Sequence, residues 1–255
     1  SLNGNWKYII DPMENGLRSR FLDKEPASKS TYRSYDFNAA ESLTVPGDWN
    51  TQRPELLYYE GTIWYRKKFE YQPANGNRVF LHFGAVNYES IVYLNGEELG
   101  KHVGGYTPFN FEITGKLREG NNSLVVKADN KRHREGIPEL IFDWWNYGGI
   151  KRPVTLIESP ATFIRDYSVQ LSRDRKNIEG WIQLDGNNLS QQINIEIPEL
   201  NIQESVSADA AGKAKFEIKA KPVYWSPENP KLYTVNITSQ SDKISEEIGF
   251  RTIET

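Results

Sequence analysis

The sequence predicts an all-β protein built as two successive β-sandwiches. Three observations carry this. Apolar and polar residues alternate with a period of two in segment after segment, the pattern of strands with one buried face. Turn residues punctuate these segments at a spacing of roughly 8–12 positions, as in sandwiches and barrels. No long stretch carries the helical apolar period, and the best helix candidate, around 17–24, is short.

The elements follow in chain order. "VPGDWNTQRPELLYYEG" (45–61) is loop-like and aromatic. Its Trp49, Tyr58 and Tyr59 read either as a flat platform for sugar rings or as a seal on the end of a sandwich. "TIWYRKKFEY" (62–71) and "RVFLHFGAV" (78–86) alternate as strands. "SIVYLNGEELG" (90–100) is a hairpin, because Asn95–Gly96 supplies the positive φ angles of a type I′ turn. "GGYTPFNFEIT" (104–114), with its glycine pair and turn proline, reads as a tight connection between strands. "NSLVVKADN" (122–130) is a further strand, opened by a Gly120–Asn121–Asn122 turn.

Ser159–Pro160 breaks the pattern and marks a domain boundary. Six to eight short strands follow: 163–171, 178–186, 192–197, 202–206, 213–219, 231–238 and 245–253, with the proline-rich turn "WSPENPKLY" (225–233) before the last two. That number fits an immunoglobulin-like sandwich without its disulfide. The expected division is 1–158 and 159–255. The first domain is large for an immunoglobulin fold, and a jelly-roll suits its length and hairpins.

Composition removes several functions. The 31 basic and 34 acidic side chains are nearly balanced, so a phosphate-tracking nucleic-acid surface is not expected. No apolar run reaches membrane-spanning length, so no membrane partner is expected. The absence of cysteine excludes disulfides, thiolate metal sites and a cysteine nucleophile. His82, His102 and His133 are far apart, so no metal site is expected; phosphate-binding glycine motifs are missing, and no cofactor is expected. No GxSxG elbow supports a serine nucleophile. His82 reads as a hydrogen-bonded strand residue, His102 as a loop residue open to a binding role. Paired glutamates such as Glu97–Glu98 and Glu246–Glu247 read as solvated faces rather than as an acid and nucleophile pair. Three N-x-[ST] sequons carry no assigned function.

One segment stands out. "DWWNYGGIKRPV" (143–154) sets a carboxylate beside two tryptophans and follows them with two glycines. The glycines force a turn or a close backbone approach. A carboxylate among large apolar surfaces must be hydrogen-bonded or face a cleft. From the residues alone, the segment reads equally as a folding corner and as a site.

The chain resembles the N-terminal half of glycoside hydrolase family 2 enzymes, the β-galactosidases and β-glucuronidases. The matching phrases are "VPGDWN" (45–50), "YYEGTIWYRKKF" (58–69), "LHFGAVNYESIVYLNGEELGKHVGGYTPFNFEIT" (81–114), "NNSLVVKADN" (121–130), "DWWNYGGIKRPVTL" (143–156), "WSPENPKLYTV" (225–235) and "GFRTIE" (249–254). Each is weak alone; in the family's order they cover nearly the whole chain. The Asn-Tyr-Gly form of 143–154 is most similar to the β-glucuronidase branch.

The resemblance implies a jelly-roll, galactose-binding-like domain, an immunoglobulin-like domain, and then a catalytic (β/α)8 barrel. A barrel needs about 250 residues of strand–helix alternation, and it is expected to be absent from this chain. No residue here matches the family's catalytic glutamates, so the catalytic residues are none. In the family, the aspartate opening the segment reaches into the barrel's pocket and contacts the sugar. Asp143 is therefore expected to accept hydrogen bonds from sugar hydroxyls, with Trp144, Asn146 and Tyr147 shaping the wall beside it. The implied function is the non-catalytic N-terminal portion of a retaining exo-β-glycosidase, its partners a β-glycoside and its own C-terminal barrel. The alternatives are a stand-alone carbohydrate-binding module or a structural sandwich protein. A homo-oligomer remains open. Export to a bacterial periplasm or beyond is expected over a cytoplasmic location.

Overall fold

A computed structural model describes residues 1–19, 21 and 36–252. The chain forms two compact units, Ser1–Glu158 and Ser159–Thr255. Of the short helix candidate around 17–24, only 17–19 and 21 fall among the described residues, and they form turns.

Unit 1 contains strands β1 (Gly4–Asp11), β2 (Ser42–Val45), β3 (Thr62–Glu70), β4 (Arg78–Phe83), β5 (Val86–Asn87), β6 (Glu89–Leu94), β7 (Glu97–Val103), β8 (Phe109–Glu112), β9 (Asn121–Asp129), β10 (Gly149–Ile150) and β11 (Val154–Ser159). One six-stranded sheet runs β2-β1-β3-β9-β6-β7. Against it lie a three-stranded sheet, β11-β4-β8, and the short ladder β10-β5. Trp6, Ile63, Tyr65, Val92 and Val126 from the large sheet share one core with Val79, Leu81 and Phe83 of β4. This is the expected jelly-roll sandwich.

The start of β3 is apolar on both faces for a reason. Ile63 and Tyr65 enter that core, while Trp64 packs on the other face with Ile9, Tyr93, Val125, Phe21 and Phe37. Buried Asp11 fixes this second face. It accepts from the Trp64 indole nitrogen at 2.9 Å and from the backbone nitrogens of Asn15 and Gly16 at 2.8 and 2.7 Å. The Asn95–Gly96 turn forms as expected, with φ of 56° and 88°.

The expected strand 78–86 is broken. A side chain at Gly84 would meet Arg152 Cβ at 2.6 Å, and the Gly84 nitrogen donates to Pro153 O at 2.9 Å. The chain therefore leaves β4 there, and β5 pairs instead with β10.

Unit 2 contains β12 (Phe163–Leu171), β13 (Asn177–Asp185), β14 (Gln192–Ile197), β15 (Ile202–Ser207), β16 (Lys213–Lys219), β17 (Tyr233–Thr238) and β18 (Lys243–Ile248). Sheets β12-β13-β16 and β15-β14-β17-β18 enclose Ile178, Ile182, Ile193, Ile195, Val235 and Ile237. Three plus four antiparallel strands make the expected immunoglobulin-like sandwich. The last expected strand, 245–253, begins and ends earlier, at Lys243 and Ile248. After it the chain turns inward: Phe250 is buried, and its carbonyl accepts from the Trp225 nitrogen at 2.9 Å.

Candidate functional site

The segment 143–150 is anchored at its glycine end. β10 pairs with β5 as Gly149↔Asn87 and Ile150↔Val86. The Trp49 nitrogen donates to Gly148 O at 3.0 Å and the Gly47 nitrogen to Ile150 O at 2.8 Å. Both glycines are required. A Cβ on Gly148 would lie 2.1 Å from the Trp49 ring, and Gly149 has φ of 130° with Gly47 O 2.8 Å from its would-be Cβ.

Four buried asparagines then lock the segment to the strand ends. Asn87 Nδ2 donates to Asn146 Oδ1 at 2.9 Å and to Tyr147 O at 2.6 Å. Asn146 Nδ2 donates to Asn130 O, and Asn130 Nδ2 returns a bond to Asn146 O. Asn130 Oδ1 accepts from the Gly61 nitrogen at 2.8 Å. Asn50 Oδ1 accepts from the Gly148 nitrogen at 3.0 Å, and its Nδ2 donates into the 56–59 loop. Amides serve here because Asn50, Asn130 and Asn146 each use both a donor and an acceptor on groups that no strand satisfies, while Asn87 uses its donor alone and its Oδ1 is buried without a hydrogen-bond partner among the described residues.

Outside this lock, residues 142–145 face solvent. Arg132 braces them: Nη1 donates to Phe142 O at 2.9 Å and Nη2 to Trp144 O at 3.1 Å. Its Nε donates to Glu60 Oε1 at 2.8 Å, completing an ion pair. Trp145 Nε1 donates to Leu57 O at 3.1 Å, and its ring lies 5.5 Å from that of Tyr58. The Phe142 and Trp144 rings meet edge to face at 3.9 Å. Together with Asn50, Glu60, Arg132 and Asn146, these groups line an open pocket of about 280 Å³ that includes Asp143.

The two carboxylates in that pocket differ. Glu60 is committed to Arg132. Asp143 is exposed and makes no hydrogen bond or ion pair with another described residue. The pocket therefore offers one free anion beside flat apolar surfaces. Such a surface can accept hydrogen bonds from hydroxyls and stack against the apolar face of a ring.

The structure brings Asp143, Trp144 and Asn146 to one pocket. Asn146 is buried, with both ends of its amide spent on Asn87 and Asn130. Tyr147 does not line that pocket; its ring lies 5.8 Å from Lys151 Nζ, near Tyr106, which the same ammonium approaches at 5.2 Å. Trp49 is fully buried and Tyr59 half-buried, its hydroxyl donating to Thr62 O at 2.9 Å, so these two seal the sandwich end. Burial first, then Asp11 and Asp129, push the Tyr59 phenol well above its usual pKa. Tyr58 alone of the three stays exposed. His102 stacks on Phe109 at 4.1 Å, and burial lowers its pKa. Arg132, Glu60, Asn87 and Asn130 were not marked by sequence reasoning. Arg132 sits in "KRHRE" (131–135), a run of charged residues with no motif to single it out.

Among the described residues, no cluster of three histidine, cysteine or acidic side chains could hold a metal, and no helix is long and apolar enough to cross a membrane.

The chain has relatives among known proteins and solved structures. It is similar to a β-galactosidase of Thermoanaerobacter pseudethanolicus, 32% identical over 100% of this chain and 35% of that protein. It is also similar to the β-glucuronidase of Rattus norvegicus, 26% identical over 99% of this chain and 44% of that protein. Among solved structures, a β-glucuronidase of an uncultured Clostridium sp. superposes with a TM-score of 0.79 at 28% identity, covering 99% of this chain and 44% of that one. A β-glucuronidase from Ruminococcus gnavus, in complex with D-glucuronic acid, gives 0.78 at 25% identity, covering 100% of this chain and 46% of that one. The chain thus spans less than half the length of these relatives, matching their N-terminal portion. The model for the sugar binding domain of glycosyl hydrolases family 2 matches residues 1–160, and a second model, described as glycosyl hydrolases family 2, matches 162–251. Two family models that follow one another along almost the entire chain settle its kinship: it belongs to glycosyl hydrolase family 2.

Proposed function

We propose that this chain is the non-catalytic N-terminal portion of a retaining exo-β-glycosidase acting on a β-glucuronide or β-galactoside. Unit 1 supplies one wall of the sugar pocket. A C-terminal barrel supplies the acid/base and nucleophilic carboxylates. The observation that carries this reading is Asp143, a solvent-facing carboxylate without a partner among the described residues, held at the rim of an aromatic-lined pocket by a buried asparagine lock. Its role is to accept hydrogen bonds from sugar hydroxyls. Trp144 forms the wall beside it. Asn146 and the Tyr147 carbonyl fix the segment from behind.

The enzyme reading is tested with two proteins. The full-length protein should hydrolyse p-nitrophenyl β-D-glucuronide or β-D-galactoside with retention of anomeric configuration. The 255-residue chain alone should not, and calorimetry should find only weak monosaccharide binding, because half of the pocket is supplied elsewhere. Micromolar binding of a glycan at the Asp143 pocket by the chain alone would favour a carbohydrate-binding module instead.

A further inference from the structure

Unit 2 carries a second arrangement of this chemistry. The outward face of sheet β12-β13-β16 presents three adjacent rows. Trp181 lies between Ser168 and Lys215, Glu179 between Gln170 and Glu217, and Gln183 between Asp166 and Lys213. Trp181 is the one apolar side chain in these rows. It stands on the central strand, partly exposed, where core packing does not call for it: the core side of β13 is made by Ile178, Ile182 and Leu184. Lys213 Nζ lies 5.4 Å from the indole ring.

Ser168 is small, so open space remains beside the indole. A groove of about 530 Å³ runs there, lined chiefly by Ser168, Gln170, Glu179, Trp181, Lys215 and Glu217. It is an open groove along the sheet face rather than an enclosed cleft. Its polar edge is built at a cost. Glu179 and Glu217 are directly opposed across the β13–β16 ladder, and like charges in that position destabilise a sheet. Neighbouring amides hold them: Asn177 Nδ2 donates to Glu217 Oε1 at 2.6 Å, and Gln170 Nε2 to Glu179 Oε1 at 3.3 Å.

We infer that this groove is a binding site for a neutral glycan chain. The indole offers a flat apolar face to a pyranose ring. The two carboxylates accept from its hydroxyls, and Gln170 and Lys215 donate to its oxygens. The glutamate pair repels uronic acids, so the ligand is a neutral saccharide. This site stands on unit 2's own residues and does not depend on the role of Asp143.

The test is affinity electrophoresis of the 255-residue chain through gels containing a soluble neutral β-glucan, a neutral galactan or, as control, polygalacturonate. Retardation is expected on a neutral glycan and not on the acidic one. Trp181→Ala should weaken it about tenfold, the loss of one ring-stacking contact. Trp181→Phe should retain most of it. Circular dichroism of each variant establishes that the sandwich is intact. Lack of retardation of the wild-type chain on either neutral glycan, or unaltered retardation of a folded Trp181→Ala, would overturn the assignment.

Discussion

Asn87 and Asn146 meet side chain to side chain, Nδ2 of the first donating to Oδ1 of the second at 2.9 Å, and both residues are buried. The pair joins the strand end at 86–87 to the segment that carries Asp143. It makes the position of an exposed carboxylate a property of the folded sandwich rather than of a free loop.

Removing the lock should therefore cost stability. Asn146→Ala leaves the Asn130 carbonyl without its side-chain donor and Asn87 without one acceptor. The expected loss is about 1–3 kcal/mol, or on the order of 5 °C in the melting temperature of the chain. Trp144→Ala, on an exposed residue, should melt within about 1 °C of the wild type. Equal melting of Asn146→Ala and wild type in a calorimetric scan would show that the lock is not stabilising.

Gly148 is the second fixed point. A methyl group there would overlap the buried Trp49 ring, 2.1 Å away. Gly148→Ala should destabilise unit 1 by roughly 1–3 kcal/mol or more, and tryptophan fluorescence should report the displaced indole. A variant with unchanged emission and unchanged denaturation midpoint would contradict the packing described.

The sequence revealed these features unevenly, for physical reasons. Strand periodicity is local, so β12, β14 and β16 were legible to the residue. So was the Asn95–Gly96 turn, because its positive φ angles call for those residue types. Asp143 was legible as an acid among tryptophans, but not the direction it faces. The asparagine lock was not legible at all. Asn87 and Asn146 lie 59 positions apart and Asn50 and Gly148 lie 98 apart, and such pairings leave no periodic trace. The break at Gly84 was hidden likewise, since its cause is Arg152, distant in sequence.

Acid should weaken unit 1 partly through Glu158. Its carboxylate accepts from the Tyr71 hydroxyl, Asn77 Nδ2 and the Ala74 nitrogen, and these bonds hold its pKa below the ordinary carboxylate range. A depressed folded-state pKa means that the stabilisation is present above the unfolded pKa and lost as pH falls through the folded one. Denaturation of the wild type against Glu158→Gln should show the difference shrinking below pH ~4. A difference that grows on acidification would reverse the assignment.

In the proposed function, Asp143 holds the sugar. In a full-length protein with the proposed activity, Asp143→Ala should lower kcat/KM on its preferred p-nitrophenyl β-glycoside by roughly 10- to 100-fold, the worth of a charge-assisted hydrogen bond. Its melting temperature should stay that of the wild type, because the carboxylate is exposed and makes no bond to another described residue. Wild-type kcat/KM in that variant would contradict the account and leave the segment a folding corner alone.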